Sequence, residues 1–207
     1  MLIRTLIVII IIITSFSCKK KGKATLVLKG VITNASSNIP LDGTTVKLYE
    51  QVAGSTNPNL LGTVTTNSFG EYSFSFARNQ VESYKLTANH ASFFSIESVI
   101  NFSDLTIEND NVRSFSTYAK SWAWIHFVNQ TGVSSVQFQR TVGKINCIEC
   151  CPSTQQTING FTDTSIYCIN DGNTSYSFSY IVPGSSTTGN KTVVTVPFDS
   201  TEMLLVL

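Results

Sequence analysis

The chain has 207 residues, 42% of them hydrophobic, which is enough to bury a sizeable core. Lys and Arg number 14 against 13 Asp and Glu; setting aside Arg4 and the four lysines within 19–23 leaves nine basic residues against thirteen acidic. A mildly acidic body has no electrostatic footprint for a polyanion, so nucleic acid is excluded as the expected partner.

Arg4 precedes the unbroken apolar run Leu6 to Ile13, then Thr14-Ser15-Phe16-Ser17 and Cys18. A basic start, an apolar stretch of roughly 7–15 residues and small residues before a cleavage point describe a secretory signal over 1–17. A membrane span needs about 20 apolar residues, and Lys19, Lys20, Lys21 and Lys23 close this run early. Ser15-Phe16-Ser17-Cys18 resembles the relaxed lipobox of Bacteroidetes lipoproteins, with Phe16 departing from the stricter small-residue pattern. The resemblance implies cleavage before Cys18 and acylation of Cys18, with 18–23 as a basic tether. It also implies an outer-membrane location, and lysines rather than acids after the Cys favour the periplasmic face over the cell surface. Each buried methylene contributes about 0.8 kcal/mol and one acyl chain holds weakly, so several chains make the anchor durable.

Beyond the tether the signal is strand. Val46 and Leu48 alternate with Thr45, Lys47 and Tyr49, and Tyr72, Phe74 and Phe76 alternate with Ser73 and Ser75. Period-two alternation in a Thr-, Val- and aromatic-rich chain predicts strands with one buried face. Turn chemistry recurs at Asp42-Gly43, Asn67-Ser68-Phe69-Gly70, Asp171-Gly172 and Pro183-Gly184. The expectation is all-β, two consecutive β-sandwiches of immunoglobulin or prealbumin type, with the division near 116/117.

Three motifs stand in order in the first half: Gly30-Val31-Ile32-Thr33, Pro40-Leu41-Asp42-Gly43-Thr44-Thr45-Val46, and Thr66-Asn67-Ser68-Phe69-Gly70-Glu71-Tyr72-Ser73-Phe74. Residues 24–116 thereby resemble the carboxypeptidase regulatory-like domain, a transthyretin-like β-sandwich. That family implies an accessory module with no catalytic residues to carry over.

The second half, 117–207, opens on Trp122-Ala123-Trp124-Ile125-His126-Phe127-Val128, and strands are expected again over Tyr176–Val182 and Lys191–Asp199. It resembles, on general pattern, Bacteroidetes lipoproteins that place a β unit after the regulatory-like domain. Trp122, Trp124 and His126 share one face of a regular strand and are candidate ligand-facing aromatics for a sugar or peptide. Large aromatics are usually buried, so the competing expectation is a core or joint position.

Cys147, Cys150, Cys151 and Cys168 form an even set in an exported chain, where disulfides persist. Adjacent Cys150 and Cys151 are poorly placed to bond each other. Cys168 therefore takes Cys150 or Cys151, and Cys147 takes the other. The competing readings are a thiolate metal site, for which a second ligand cluster is missing, and a redox pair at Cys147-x-x-Cys150, for which the βαβ context is missing. Gly184 to Thr192 resembles a phosphate-binding loop, but Asn190 separates Gly189 from Lys191 and strand-type residues follow. No G-x-S-x-G or H-E-x-x-H pattern occurs, and Asp and Glu are spread singly. The expectation is a non-enzymatic lipoprotein without metal or cofactor. Its partners are the membrane, through its lipid, and an envelope protein or glycan.

Overall fold

The computed structural model describes residues 24–147 and 149–207; Cys18, the signal and the tether lie outside the described residues. The alternating runs form strands, and the alternation decides what is buried. In β1 (Thr25–Asn34), Leu26, Leu28 and Ile32 are fully buried while their neighbours are not. The other strands of the first half are β2 (Thr45–Gln51), β3 (Asn59–Thr65), β4 (Glu71–Ala77), β5 (Ser83–Asn89), β6 (Ile96–Asn101), and the short β7 (Asn111–Val112) and β8 (Phe115–Thr117). β1 pairs antiparallel with β4 on one side and parallel with β7 and then β8 on the other. The facing sheet runs β3-β2-β5-β6, antiparallel throughout. Val46 and Leu48 of β2, Tyr72 and Phe74 of β4, and Tyr84 and Leu86 of β5 close one core with β1. Burying each such side chain contributes about 1.5–3 kcal/mol.

Gly30 shows why the first motif needs glycine. A Cβ there would lie 1.8 Å from the Arg113 carbonyl oxygen, which crosses β1 in the gap between β7 and β8 and accepts the Tyr72 hydroxyl. Burial pushes the Tyr72 phenol well above its ordinary pKa, so it remains a donor.

The remaining strands are β9 (Lys120–Val128), β10 (Ser135–Val142), β11 (Gln156–Asn159), β12 (Asp163–Asp171), β13 (Ser175–Ile181), β14 (Thr188–Val194) and β15 (Ser200–Val206). A three-stranded sheet, β12-β9-β15, faces a four-stranded one, β11-β10-β13-β14. Ala123, Ile125 and Phe127 point from β9 into a second core, where the Phe127 ring packs on Phe138 at 5.2 Å and Phe178 at 6.0 Å. The architecture is all-β, with two sheet pairs each closing over its own core.

The halves meet through specific contacts. Lys144 Nζ sits 3.8 Å from the Phe94 ring centroid and 2.6 Å from Asp171. Phe93 meets Phe198 edge-on at 5.4 Å, and Ser36 Oγ donates to the Gly172 carbonyl at 2.7 Å. Beside them a buried polar knot satisfies itself: Ser121 Oγ and Asn170 Nδ2 both reach Thr195 Oγ1, at 2.8 and 3.1 Å.

One sequence expectation changes, and one strand is added. Lys191–Asp199 is not one strand: β14 ends at Val194, and β15 begins only at Ser200. Between them Pro197 has no N–H to give a ladder, and Phe198 takes φ 66°. β15 carries no alternation signal in sequence, because Met203-Leu204-Leu205-Val206 is apolar without interruption, although its burial alternates. Lys191 lies inside β14, opposite Phe178, so only the first part of the glycine-rich stretch connects β13 to β14 and Thr188 to Thr192 are already strand.

Candidate functional site

β9 is the central strand of the three-stranded sheet, so its outward side chains are flanked on both sides. Ser121, Ala123, Ile125 and Phe127 point inward; Trp122, Trp124 and His126 stand half-buried on the outer face. None of the three belongs to the buried core, and Trp122 borders Phe198, which meets Phe93 of the first half. The registers then specify their neighbours. Tyr167 of β12 and Glu202 of β15 both lie opposite Trp124, and Ser165 and Leu204 lie opposite His126.

Trp124 is fully engaged within this face. Its ring stacks with His126 at 5.2 Å and with Tyr167 at 5.8 Å, both within 9° of parallel, and Nε1 donates to Ser165 Oγ at 2.8 Å. Such offset stacks contribute about 0.5–1.5 kcal/mol beyond area burial. Trp122 is different. Its backbone is held in the sheet, with the N–H donating to the Asp199 carbonyl at 3.0 Å, while its ring and indole N–H have no hydrogen-bond or ring partner among the described residues. It borders a shallow hollow of about 320 Å³ with Tyr167, Phe198, Asp199 and Ser200. Tyr167 is 55% exposed and Phe198 54%. A left-handed φ at an aromatic residue costs about 1–3 kcal/mol. At Phe198 the surrounding contacts hold it, with its N–H donating to the Lys120 carbonyl at 2.7 Å.

His126 lies between two carboxylates, at 2.6 Å from Glu202 through Nδ1 and 2.9 Å from Asp163 through Nε2. Both contacts are hydrogen bonds only when both ring nitrogens carry protons, so the geometry favours the imidazolium. The Glu202 contact first, and Asp163 second, hold the His126 pKa above its ordinary 6.5. A raised histidine pKa gives stability fully present below about pH 6.5 and lost as pH rises through the folded value. The carboxylates are solvent-facing, so screening keeps that contribution small. NMR titration of the His126 ring is expected to give a midpoint above 6.5, and Glu202→Gln to lower it. Midpoints at or below 6.5 in both chains would refute the clamp.

Acids spread singly in sequence suggested no pair, yet the sheet brings Asp163 and Glu202 onto one histidine. Tyr167, Glu202, Asp163, Phe198 and Asp199 were all missed as site residues. Alternation could have placed Asp163, Ser165 and Tyr167 on one face, but nothing local encodes which strand lies beside β9.

The cysteines resolve the pairing left open by spacing: Cys147 bonds Cys150 and Cys151 bonds Cys168, each with Cα atoms 5.2 Å apart. Cys168 is fully buried in the second core. Half-cystines offer no thiolate to a metal. Among the described residues no group of three or more His, Cys, Asp or Glu has a metal-holding arrangement. His90 sits apart from this face, edge-on to Phe93 at 4.9 Å.

No family model matches the sequence, and no curated protein does. Among solved structures, the chain is similar to the shaft pilin SpaA from Lactobacillus rhamnosus GG, at 12% identity and TM-score 0.37, covering 89% of this chain and 98% of that one. It is also similar to a Streptococcal ancillary pilin, at 9% identity and TM-score 0.39, covering 87% and 62%. A 3-chlorocatechol 1,2-dioxygenase from Rhodococcus opacus 1CP matches 48% of this chain and 61% of its own, at 11% identity and TM-score 0.33. At these scores the likenesses carry no argument of their own.

Proposed function

We propose that this chain is a lipid-anchored, non-catalytic binding or scaffolding module of a bacterial cell envelope. The observation that carries the reading is the outer face of β12-β9-β15: a central strand presents a pre-stacked aromatic ladder and a tryptophan whose ring is unengaged among the described residues, on a sheet whose β12 is tied to the β10–β11 connection by Cys151–Cys168. Rigid aromatics on a strand contribute large contact area with little conformational entropy to lose. His126 is held by two carboxylates in a salt-bridged arrangement, with no hydroxyl or thiol nucleophile hydrogen-bonded to it among the described residues, which supports binding over catalysis.

In the same reading residues 24–116 form the regulatory-like accessory sandwich and 117–207 a second one. The anchor is Cys18, with the chain at the periplasmic face of the outer membrane and an envelope protein or glycan as partner. Cys18→Ala is expected to move the chain from the membrane to the soluble fraction with its fold intact; unchanged membrane retention would remove the anchor. The binding face is tested by immobilising the detergent-solubilised full chain and challenging it with envelope extract. Retention of a partner that Trp122→Ala or Tyr167→Ala abolishes is the expected result; retention indifferent to both sinks this face as the site.

A further inference from the structure

The hollow beside Trp122 has a specific chemistry. Three aromatic side chains, Trp122, Tyr167 and Phe198, line it with the exposed Asp199 carboxylate. Asp199 has no ion-pair partner among the described residues; Oδ1 accepts only the Ser200 N–H, at 2.7 Å. Lys120, two residues before Trp122 on the same strand face, is turned towards the Phe94 ring at 5.8 Å. Glu202 and Asp163, with the His126 imidazolium shared between them, leave a net single negative charge further along the face. Phe198 reaches the hollow because its left-handed backbone turns it there, with Phe93 packed edge-on behind it.

We infer that this hollow binds a small soluble quaternary ammonium compound, held against the rings of Trp122, Tyr167 and Phe198 and balanced by Asp199. The ring quadrupoles attract a cation, and the carboxylate supplies the opposite charge. A methylated ammonium fits better than a primary one. It has no N–H groups to satisfy and can be held by ring contact and charge alone, whereas a primary ammonium must also find oxygen acceptors for its three N–H donors. The inference rests on the reading of this face as a binding surface and names the ligand class.

The test is a titration of the detergent-solubilised full chain with choline, and with its neutral isostere 3,3-dimethylbutan-1-ol, at constant ionic strength. Tryptophan fluorescence and heat are read together. Saturable binding of choline, with none by the isostere, is expected. Asp199→Asn and Phe198→Leu should each weaken it by about tenfold, a loss within the range of single cation–π and charge contacts. Phe198→Leu keeps an apolar β-carbon residue at the strained position, and a thermal melt confirms that both variants fold. Equal binding of the isostere would leave only an apolar dent and overturn the inference, as would no binding of choline. Retention on phosphatidylcholine vesicles that free choline does not compete would assign the site to lipid and equally overturn it. A chain that ignores choline yet retains an envelope partner through Trp122 overturns the ammonium site alone and leaves the binding face standing.

Discussion

Gly30→Ala is expected to lower unfolding stability by about 3 kcal/mol or more, while Gly62→Ala stays within about 1 kcal/mol of the parent. Both glycines lie in strands, so intrinsic propensity alone would favour alanine at each. The difference lies in what a Cβ meets. At Gly30 it meets backbone, the Arg113 oxygen at 1.8 Å and carbon at 2.6 Å, and neither is the loose end of a side chain. Arg113 cannot retreat without cost, because its N–H donates to the Lys29 carbonyl at 2.8 Å while its own carbonyl accepts the Tyr72 hydroxyl. Relief therefore separates β1 from the β7–β8 segment and strips a hydrogen bond from a buried tyrosine. At Gly62 the nearest atoms belong to the Phe74 ring at 3.5 and 3.6 Å, which is ordinary contact. Urea unfolding of the two variants side by side checks this; equal midpoints would mean that the crossing at Gly30 is soft.

That pair also shows what was legible in sequence. Gly30 and Gly70 were visible as motif positions, and the structure supplies the reason for each. Gly70 combines φ 70° with a Cβ position 2.4 Å from the Ile32 carbonyl oxygen. The inward faces of β2 and β4 are readable too, because Val46, Leu48, Tyr72 and Phe74 alternate with polar or differently sized neighbours; in β9 both faces carry large apolar or aromatic side chains, and alternation alone does not say which is buried. Pairing between distant strands was not readable. The sequence separates His126 from Asp163 by 37 residues and from Glu202 by 76, and no local signal says that β12 and β15 flank β9. The same gap hid the hollow. Phe198 and Asp199 stood at the end of an expected continuous strand, and the break at Pro197-Phe198 is what turns them towards Trp122.

The second large effect belongs to the disulfides, and they are not equivalent. Cys151–Cys168 closes a separation of 17 residues, which in the chain-entropy picture contributes about 3 kcal/mol; Cys147–Cys150 spans only three and contributes at most about 2. Cys168 also fills a fully buried position in the second core, so truncation to alanine adds a packing loss that the half-buried Cys147 and Cys150 do not incur. Cys151→Ala with Cys168→Ala is thus expected to destabilise clearly more than Cys147→Ala with Cys150→Ala. Removing both partners avoids leaving a stray thiol to reshuffle. With a urea slope of about 2 kcal/mol/M, the larger loss is a midpoint shift of at least about 1.5 M. The His126 titration should stay above 6.5 in the Cys151/Cys168 double variant, because Glu202 comes from β15 and Asp163 from the far end of β12, where backbone pairs with β9 hold the register. A histidine midpoint that falls with the disulfide would mean that the crosslink, and not the sheet, sets the geometry of the aromatic face.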